Sequence, residues 1–177
     1  MVPEAELRNS EQGLVASSDG WFVVNAREVR WRVSSGRAPV TDFEGDLTFP
    51  QLGVHLTIVE PGRLATLYHG ENAQEDFLVV AGECLLLIEG QERQLRQWDF
   101  VHCPPWTEHG FVAIGEERCV LLAIGARPTD DVIYPVSELA LRRGVGVEQE
   151  TTSVETAYAS HGRRRPARYE PTRLPED

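Results

Sequence analysis

From Gln51 onward the sequence consists of short apolar runs separated by turns that contain glycine or proline, at close and fairly regular spacing. The run LGVHLTIVEPG alternates as a half-buried strand does, with His55 and Thr57 on the face opposite the aliphatic side chains. No helical period lies between these runs. Many short strands joined by such turns are typical of an antiparallel sandwich or barrel. The sequence therefore predicts an all-β fold.

The chain divides into three parts by composition. Residues 1–19 are polar and predict a flexible lead-in, residues 20–127 hold the predicted barrel, and residues 128–177 predict a short helical extension that ends in an extended or disordered arm. Within the barrel region, residues 32–50 are rich in Gly, Pro and Ser and predict a loop.

Two short helices are predicted in the extension. In YPVSELALRRGVG, Pro135 suits a first helical turn and Gly144 a helix end. In TTSVETAYASHG, Thr152 and Glu155 have the spacing of a capping box.

The overall charge limits the partners. The formal charge of −11 and the pI near 4.9 argue against nucleic acid or an anionic membrane surface as a main partner, because phosphate binding needs clustered basic residues. The N-terminal MVPEAELRNS lacks a basic segment followed by an apolar core. No apolar run approaches the roughly 20 residues that span a bilayer. We therefore expect a cytoplasmic protein.

A group of potential metal ligands surrounds the stretch LYHGENAQEDFLVVAGE. His69 and Glu71 lie two apart on a predicted strand, so their side chains share a face with Cα atoms roughly 6.5 Å apart. Glu75 follows a polar tip, where spacing alone does not place it, and His109 begins another alternating strand. A barrel can direct such donors toward one cation. A hydrogen-bonded structural histidine and a solvated acidic loop are the alternative interpretation.

The stretch from Gly62 to Ala113 resembles the two conserved motifs of the cupin superfamily. The first motif has a glycine, a His-x-His pair, a glutamate and a second glycine, and the second has a glycine, Pro-x-Gly, a histidine and an asparagine. The matching positions are Gly62, His69, Glu71, Glu75 and Gly82 for the first motif, and Trp98, Pro104, Trp106, His109 and Ala113 for the second.

The spacings from glutamate to glycine and from proline to histidine match those motifs, whereas several residue types depart from them. Glu71 stands where the second histidine is usual, Trp98 and Trp106 replace glycines, and Ala113 replaces asparagine. Gly62 is one residue further from the first histidine than in the standard pattern.

The resemblance implies a double-stranded β-helix, the jelly-roll barrel of cupins, and a homodimer. It also implies a divalent metal held by His69, Glu71 (by position), Glu75 and His109. Two carboxylates and two imidazoles would neutralise the ion and favour Mn or Fe(II). If Glu71 is not bound, the other three residues form a two-histidine, one-carboxylate triad. An empty, degenerate pocket is the alternative to a bound metal.

The resemblance does not choose an activity, because cupins include dioxygenases, isomerases, decarboxylases and ligand sensors. One hypothesis is a mononuclear Mn or Fe enzyme, dioxygenase-like or isomerase-like, that acts on a small organic acid. The other is a non-catalytic small-molecule binding or sensing protein. His55, Tyr68 and Trp106 are candidate ligand contacts, and Gln74 is a candidate hydrogen-bond donor to a ligating carboxylate. For His102, packing or a surface role is expected.

Overall fold

The computed structural model describes residues 1–171 and 174–175, which fold mainly into antiparallel β-strands and confirm the predicted all-β class. Short strands with alternating burial produce this arrangement, since each strand buries one face and ends at a turn residue. The strands are β1 Leu7–Ser10, β2 Gly13–Ala16, β3 Trp31–Val33, β4 Val40–Thr41, β5 Leu52–Val59, β6 Gly70–Glu71, β7 Glu75–Ala81, β8 Glu83–Ile88, β9 Gln91–Arg96, β10 Phe100–Cys103, β11 His109–Ala113, β12 Cys119–Ala126, β13 Val132–Ile133 and β14 Arg165–Ala167.

Two sheets form the body of the fold. The larger has seven strands in the order β10-β7-β12-β5-β4-β3-β14, and the smaller has three in the order β11-β8-β9. A cluster of buried apolar side chains joins the two sheets, with Phe77 and Val79 from the large sheet and Leu86 and Phe111 from the small one. This packing brings β7 and β11, which carry two of the predicted metal ligands, onto opposite sides of one interior.

The predicted alternation of β5 is present. Leu56 and Ile58 are buried in a second apolar cluster, on the side of the large sheet away from the cavity described below. His55 and Thr57 line that cavity instead. One strand thus supplies both a core face and a cavity face, as period-two alternation requires.

Regions outside the main strands are more structured than the sequence suggested. The predicted flexible lead-in, residues 1–19, contains the hairpin β1–β2. The predicted loop over residues 32–50 is wrong at its start and at β4, because β3 and β4 pair there and β4 also pairs with β5. Period-based reasoning missed β4 because it is only two residues long.

The helices of the extension begin later than predicted. Helix α1 is Glu138–Arg142 with Ser137 as its N-cap, so Pro135 precedes the helix rather than forming its first turn. The predicted stop at Gly144 is confirmed, since this residue follows the C-cap with a φ of 74°.

Helix α2 is Val154–Ala157, and its N-cap is Ser153, whose Oγ accepts a hydrogen bond from the Thr156 amide. The predicted capping box at Thr152 is therefore wrong by one position, because the chain stays extended through the cap at Ser153.

Part of the predicted arm joins the large sheet. Strand β14 pairs with β3 at the sheet edge, with Ala167 opposite Trp31. Residues 172–173 and 176–177 of the arm lie outside the described residues. In the described chain, neither helix has the length and apolarity needed to cross a membrane.

Candidate metal centre

His69 and His109 are held together by their backbones. The two residues form an antiparallel β-bridge, in which the His69 amide donates to the His109 carbonyl at 3.0 Å and the His109 amide donates to the His69 carbonyl at 2.8 Å. Their imidazole centroids are 4.9 Å apart. Both side chains are nearly inaccessible, with 7% and 1% of the residue surface exposed. The fold therefore places two imidazoles side by side in the interior.

Backbone carbonyls select the tautomer of both imidazoles. His69 Nδ1 lies 2.8 Å from the Leu67 carbonyl oxygen, and His109 Nδ1 lies 3.0 Å from that of Thr107. Because a carbonyl oxygen only accepts, each Nδ1 carries the hydrogen. In the neutral rings the lone pair is then on Nε2, the nitrogen that faces the carboxylates. Metal-binding histidines are commonly fixed in this way.

Glu75 supplies the carboxylate of the group. It is the first residue of β7 and lies opposite Gly125 of β12. Its Oε2 is 3.4 Å from His109 Nε2. One ligand atom from each of His69, Glu75 and His109 lies within 4.8 Å of the other two, and we call these residues the three-donor group. Two imidazole nitrogens and a carboxylate oxygen at this separation suit a divalent transition metal.

Glu71 stands beside the three-donor group. Its Oε1 lies 3.3 Å from His69 Nε2, and its side chain is 38% exposed. All four residues predicted as ligands therefore line one cavity, but Glu71 does not belong to the set that converges within 4.8 Å.

The protonation states of the group depend on burial and on mutual charge. Burial, helped by the charge of Glu71, raises the pKa of Glu75 to about 7. Burial, helped by the charge of His69, lowers the pKa of His109 to about 4. Burial opposes protonation of His69, but the hydrogen bond with Glu71 and the charge of Glu75 outweigh it and raise its pKa. At neutral pH, His109 is thus a neutral donor, while Glu75 and His69 compete for protons that a cation would displace.

The cavity around the three-donor group has a volume of about 400 Å³. His55 lines it, as predicted for a ligand contact, whereas Tyr68 and Trp106 do not. The Tyr68 side chain packs in a separate core and its hydroxyl accepts from the Gly90 amide, and Trp106 lies 49% exposed at a turn. Burial in a neighbouring core and exposure at a turn are tertiary properties that spacing does not reveal.

Two further candidates belong to the surface. Gln74 donates to Asp76 Oδ2 at 2.7 Å in an exposed position, and no hydrogen bond links it to Glu75 in the described structure, which agrees with the alternative of a solvated side chain. His102 Nδ1 lies 2.6 Å from Asp76 Oδ1 with half of its side chain exposed, in agreement with a surface role.

Sequence reasoning missed the aromatic and basic wall of the cavity. Tyr134 stacks on His69 with ring centroids 5.7 Å apart and an interplanar angle of 21°. Four arginines also line the cavity, namely Arg32, Arg37, Arg127 and Arg164. Three of these arginines and Tyr134 come from segments predicted as loop, extension or arm, and no local pattern marked any of the four arginines as internal.

Comparison with known proteins agrees with this architecture. Residues 55–125 match the family described as Cupin domain. This match and the jelly-roll arrangement of the sheets support a cupin superfamily protein, as the sequence motifs implied. No curated protein sequence matches the chain.

Several solved structures share the fold. A cupin-like protein from Thermotoga maritima is 20% identical over 74% of this chain and 100% of its own, with a TM-score of 0.52. The polyketide cyclase RemF from Streptomyces resistomycificus is 16% identical over 62% and 82%, with a TM-score of 0.53. A putative sugar phosphate isomerase from Acidithiobacillus ferrooxidans is 32% identical over 47% of this chain, with a TM-score of 0.43, and this chain covers only 54% of its length. The similarity to the first two structures confirms the predicted double-stranded β-helix.

Proposed function

We propose that this cupin binds one divalent metal ion through His69, Glu75 and His109, and that the ion is Mn²⁺ or Fe²⁺. The convergence of one ring nitrogen from each histidine and a carboxylate oxygen within 4.8 Å supports this proposal. The donor set also supports it, because imidazole with carboxylate suits Mn and Fe(II), and the three residues form a two-histidine, one-carboxylate triad.

Glu71 is the fourth proposed ligand, and its position gives it a second possible role. Its contact with His69 Nε2 places a carboxylate next to one of the three donors. As a ligand, Glu71 would make the centre formally neutral and a weaker Lewis acid. As a neighbour, it would orient His69, as outer carboxylates do in other metal sites.

We infer that the protein is a mononuclear metal enzyme of dioxygenase-like or isomerase-like type, and that its cavity binds a small organic acid as the substrate. A bound Mn²⁺ or Fe²⁺ would supply a Lewis acid and, for iron, a redox centre. The protein contributes a neutral His109, a burial that limits access of water to the donors, and polar groups such as His55 that face the same space.

The alternative is a binding or sensing protein without turnover. The composition of the wall near the donors favours this alternative, since Phe77, Phe111 and Leu121 are apolar and supply no acid or base. The two functions differ in one measurement. Incubation with a metabolite mixture should consume a compound if the protein is an enzyme, whereas a binding protein should gain thermal stability from a compound that it leaves unchanged.

Metal analysis tests the proposed centre. Full-length protein purified without a metal-affinity tag should contain, or take up on titration, close to one Mn or Fe per chain. His109→Ala and Glu75→Gln should each abolish uptake, and His102→Ala should not, since His102 is an exposed histidine that is also paired with a carboxylate. Stoichiometric metal in both site variants would overturn the assignment.

The homodimer and the cytoplasmic location stay predictions from the resemblance and from the sequence. Light scattering on the purified protein would test the dimer, which should have twice the 19.8 kDa mass of one chain.

A further inference from the structure

Two arginines in the cavity wall have no carboxylate partner. Arg32 and Arg127 form ion pairs, with Asp42 at 2.9 Å and with Glu44 at 2.5 Å. Within the described part of the chain, Arg37 and Arg164 form none. The cavity thus contains two neutralised guanidinium groups and two that carry an uncompensated charge.

The contacts of Arg37 and Arg164 leave hydrogen-bond donors free. The guanidinium of Arg37 lies 4.0 Å from the centroid of the Tyr158 ring, and Nη2 of Arg164 donates to the carbonyls of Ala38 and Ala65 at 3.2 and 3.4 Å. The Nε of each arginine is buried and has no acceptor in the described structure. Among the described residues, no acceptor contacts the terminal nitrogens of Arg37 or Nη1 of Arg164, so these nitrogens can donate to a group that enters the cavity.

The two charges also repel each other. Burial, together with the charge of Arg37, lowers the pKa of Arg164 to about 10, so that both groups remain cationic at neutral pH. Two adjacent cations in a partly buried wall destabilise the protein unless an anion compensates them.

A cation–π contact followed by two hydrogen bonds connects Arg37 to His69 of the three-donor group. The Leu67 amide donates to the hydroxyl of Tyr158, the residue that packs on Arg37, at 3.0 Å. The Leu67 carbonyl accepts from His69 Nδ1. Arg37, Tyr158 and Arg164 all lie outside residues 55–125, the part that matches the cupin family. The segments around the common domain therefore build this part of the wall.

We propose that Arg37 and Arg164 form an anion subsite for the carboxylate or phosphate group of a small organic ligand, whose remaining part faces the three-donor group. Guanidinium groups match carboxylate and phosphate oxygens through paired hydrogen bonds, which an uncharged ligand would not satisfy. A cavity of about 400 Å³ admits a small metabolite. The orientation of the ligand toward the donors rests on the proposed metal-binding function, while anion binding itself does not.

Calorimetric titration of metal-stripped, full-length protein tests the subsite at low ionic strength. Inorganic phosphate and succinate represent the two anionic groups, and glycerol is the uncharged probe. At least one anion should bind and glycerol should not. Arg37→Gln should raise the Kd of that anion at least tenfold, and Arg37→Lys should raise it less. The anion with the lower Kd identifies the chemical group, phosphate or carboxylate, that the subsite prefers.

Arg165→Gln is the matched control, since Arg165 is an exposed arginine of the same segment that does not line the cavity. Arg164→Gln is expected to weaken the anion too, but it also removes two hydrogen bonds to the backbone. Arg37→Gln is therefore the decisive variant, and circular dichroism establishes that it folds.

Different results would refute the proposed anion subsite and the proposed metal centre. Absence of anion binding, or a Kd that Arg37→Gln leaves unchanged, would overturn the subsite even if Mn²⁺ binds. Anion binding through Arg37 in a protein that takes up no Mn²⁺ would leave the subsite in place and overturn the metal centre. If both proposals hold, Arg37→Gln retains Mn²⁺ binding and His109→Ala retains anion binding.

Discussion

His69 and His109 exchange two backbone hydrogen bonds, at 3.0 and 2.8 Å, as partners in a β-bridge. The distance between the two imidazoles is therefore set by the main chain, and a substitution of either side chain leaves both bonds available. Glu75 reaches the same point from another sheet, and its carboxylate depends on burial and charge rather than on a backbone pair. The protonation of this carboxylate therefore responds to pH near neutrality.

The first prediction concerns Glu75→Gln in the metal-stripped protein. The pKa of Glu75 is raised to about 7 in the fold from 4.5, so the folded state binds more protons than the unfolded state between these values. Wild-type stability from this group is thus present below pH 4.5 and is lost as the pH rises through 7. The Glu75→Gln variant does not lose this stability, because glutamine does not ionise. The variant should gain about 3 kcal/mol relative to wild type between pH 4.5 and pH 8.5.

Urea denaturation at several pH values measures this difference. Glu150→Gln, at an exposed position, controls for the removal of a carboxylate. Saturating Mn²⁺ should reverse the order at pH 8, because it stabilises only the protein that binds it. A difference that stays constant with pH would contradict the assigned protonation of Glu75.

The second prediction concerns the role of Glu71. Since its Oε1 contacts His69 Nε2 but lies outside the three-donor group, Glu71→Ala should retain one Mn²⁺ per chain. The affinity should fall about 10- to 100-fold, as it does when a carboxylate that supports a ligand is removed. Equilibrium dialysis with Mn²⁺ gives both quantities. Complete loss of Mn²⁺ would show instead that three donors are insufficient and that Glu71 ligates the ion.

The resemblance of a few residue spacings to the cupin motifs predicted the fold and pointed to the residues that converge in the three-donor group. The separations from Glu75 to Gly82 and from Pro104 to His109 match a known pattern because each is fixed by local geometry, a strand in one case and a turn in the other. His69 lies on the chain segment that the bridge joins to His109, so its position follows once the barrel is recognised.

The arginines in the cavity wall could not be predicted in the same way. Arg37 lies between β3 and β4, and Arg164 immediately precedes β14, far apart in sequence and in segments without a period. Their approach depends on the pairing of β14 with β3 at the sheet edge. Such long-range pairing leaves no local trace in sequence.

A third prediction follows from the tryptophans that replace the glycines of the second motif. Trp98 has a φ of 75° and Trp106 a φ of 69°, in the left-handed region that favours glycine. The backbone of the motif is therefore retained while its usual residue is not. Because Trp98 is 68% exposed, its ring contributes little burial to offset the strain.

Trp98→Gly should consequently be more stable than Trp98→Ala by about 1 kcal/mol, although glycine is normally the less stabilising of the two. Thermal denaturation of both variants measures the difference, and comparing them with each other cancels the loss of the indole. Equal stability, or a more stable alanine variant, would show that the turn relaxes to accept a side chain.

The fourth prediction compares two glycines that share a backbone conformation and differ in surroundings. Gly82, between β7 and β8, has a φ of 73°, and a Cβ there would lie 2.2 Å from the Arg118 carbonyl oxygen. Gly90, at the β8–β9 turn, has a φ of 70° and no atom within 4 Å of such a Cβ.

Gly90→Ala should cost about 1 kcal/mol of unfolding free energy, from the left-handed backbone alone. Gly82→Ala should cost about 3 kcal/mol, because the clash is with backbone that cannot move without disturbing β12. Urea denaturation of both variants tests this. Equal costs would mean that the conserved glycine of the first motif is required only for its φ and not for the close approach of the neighbouring chain.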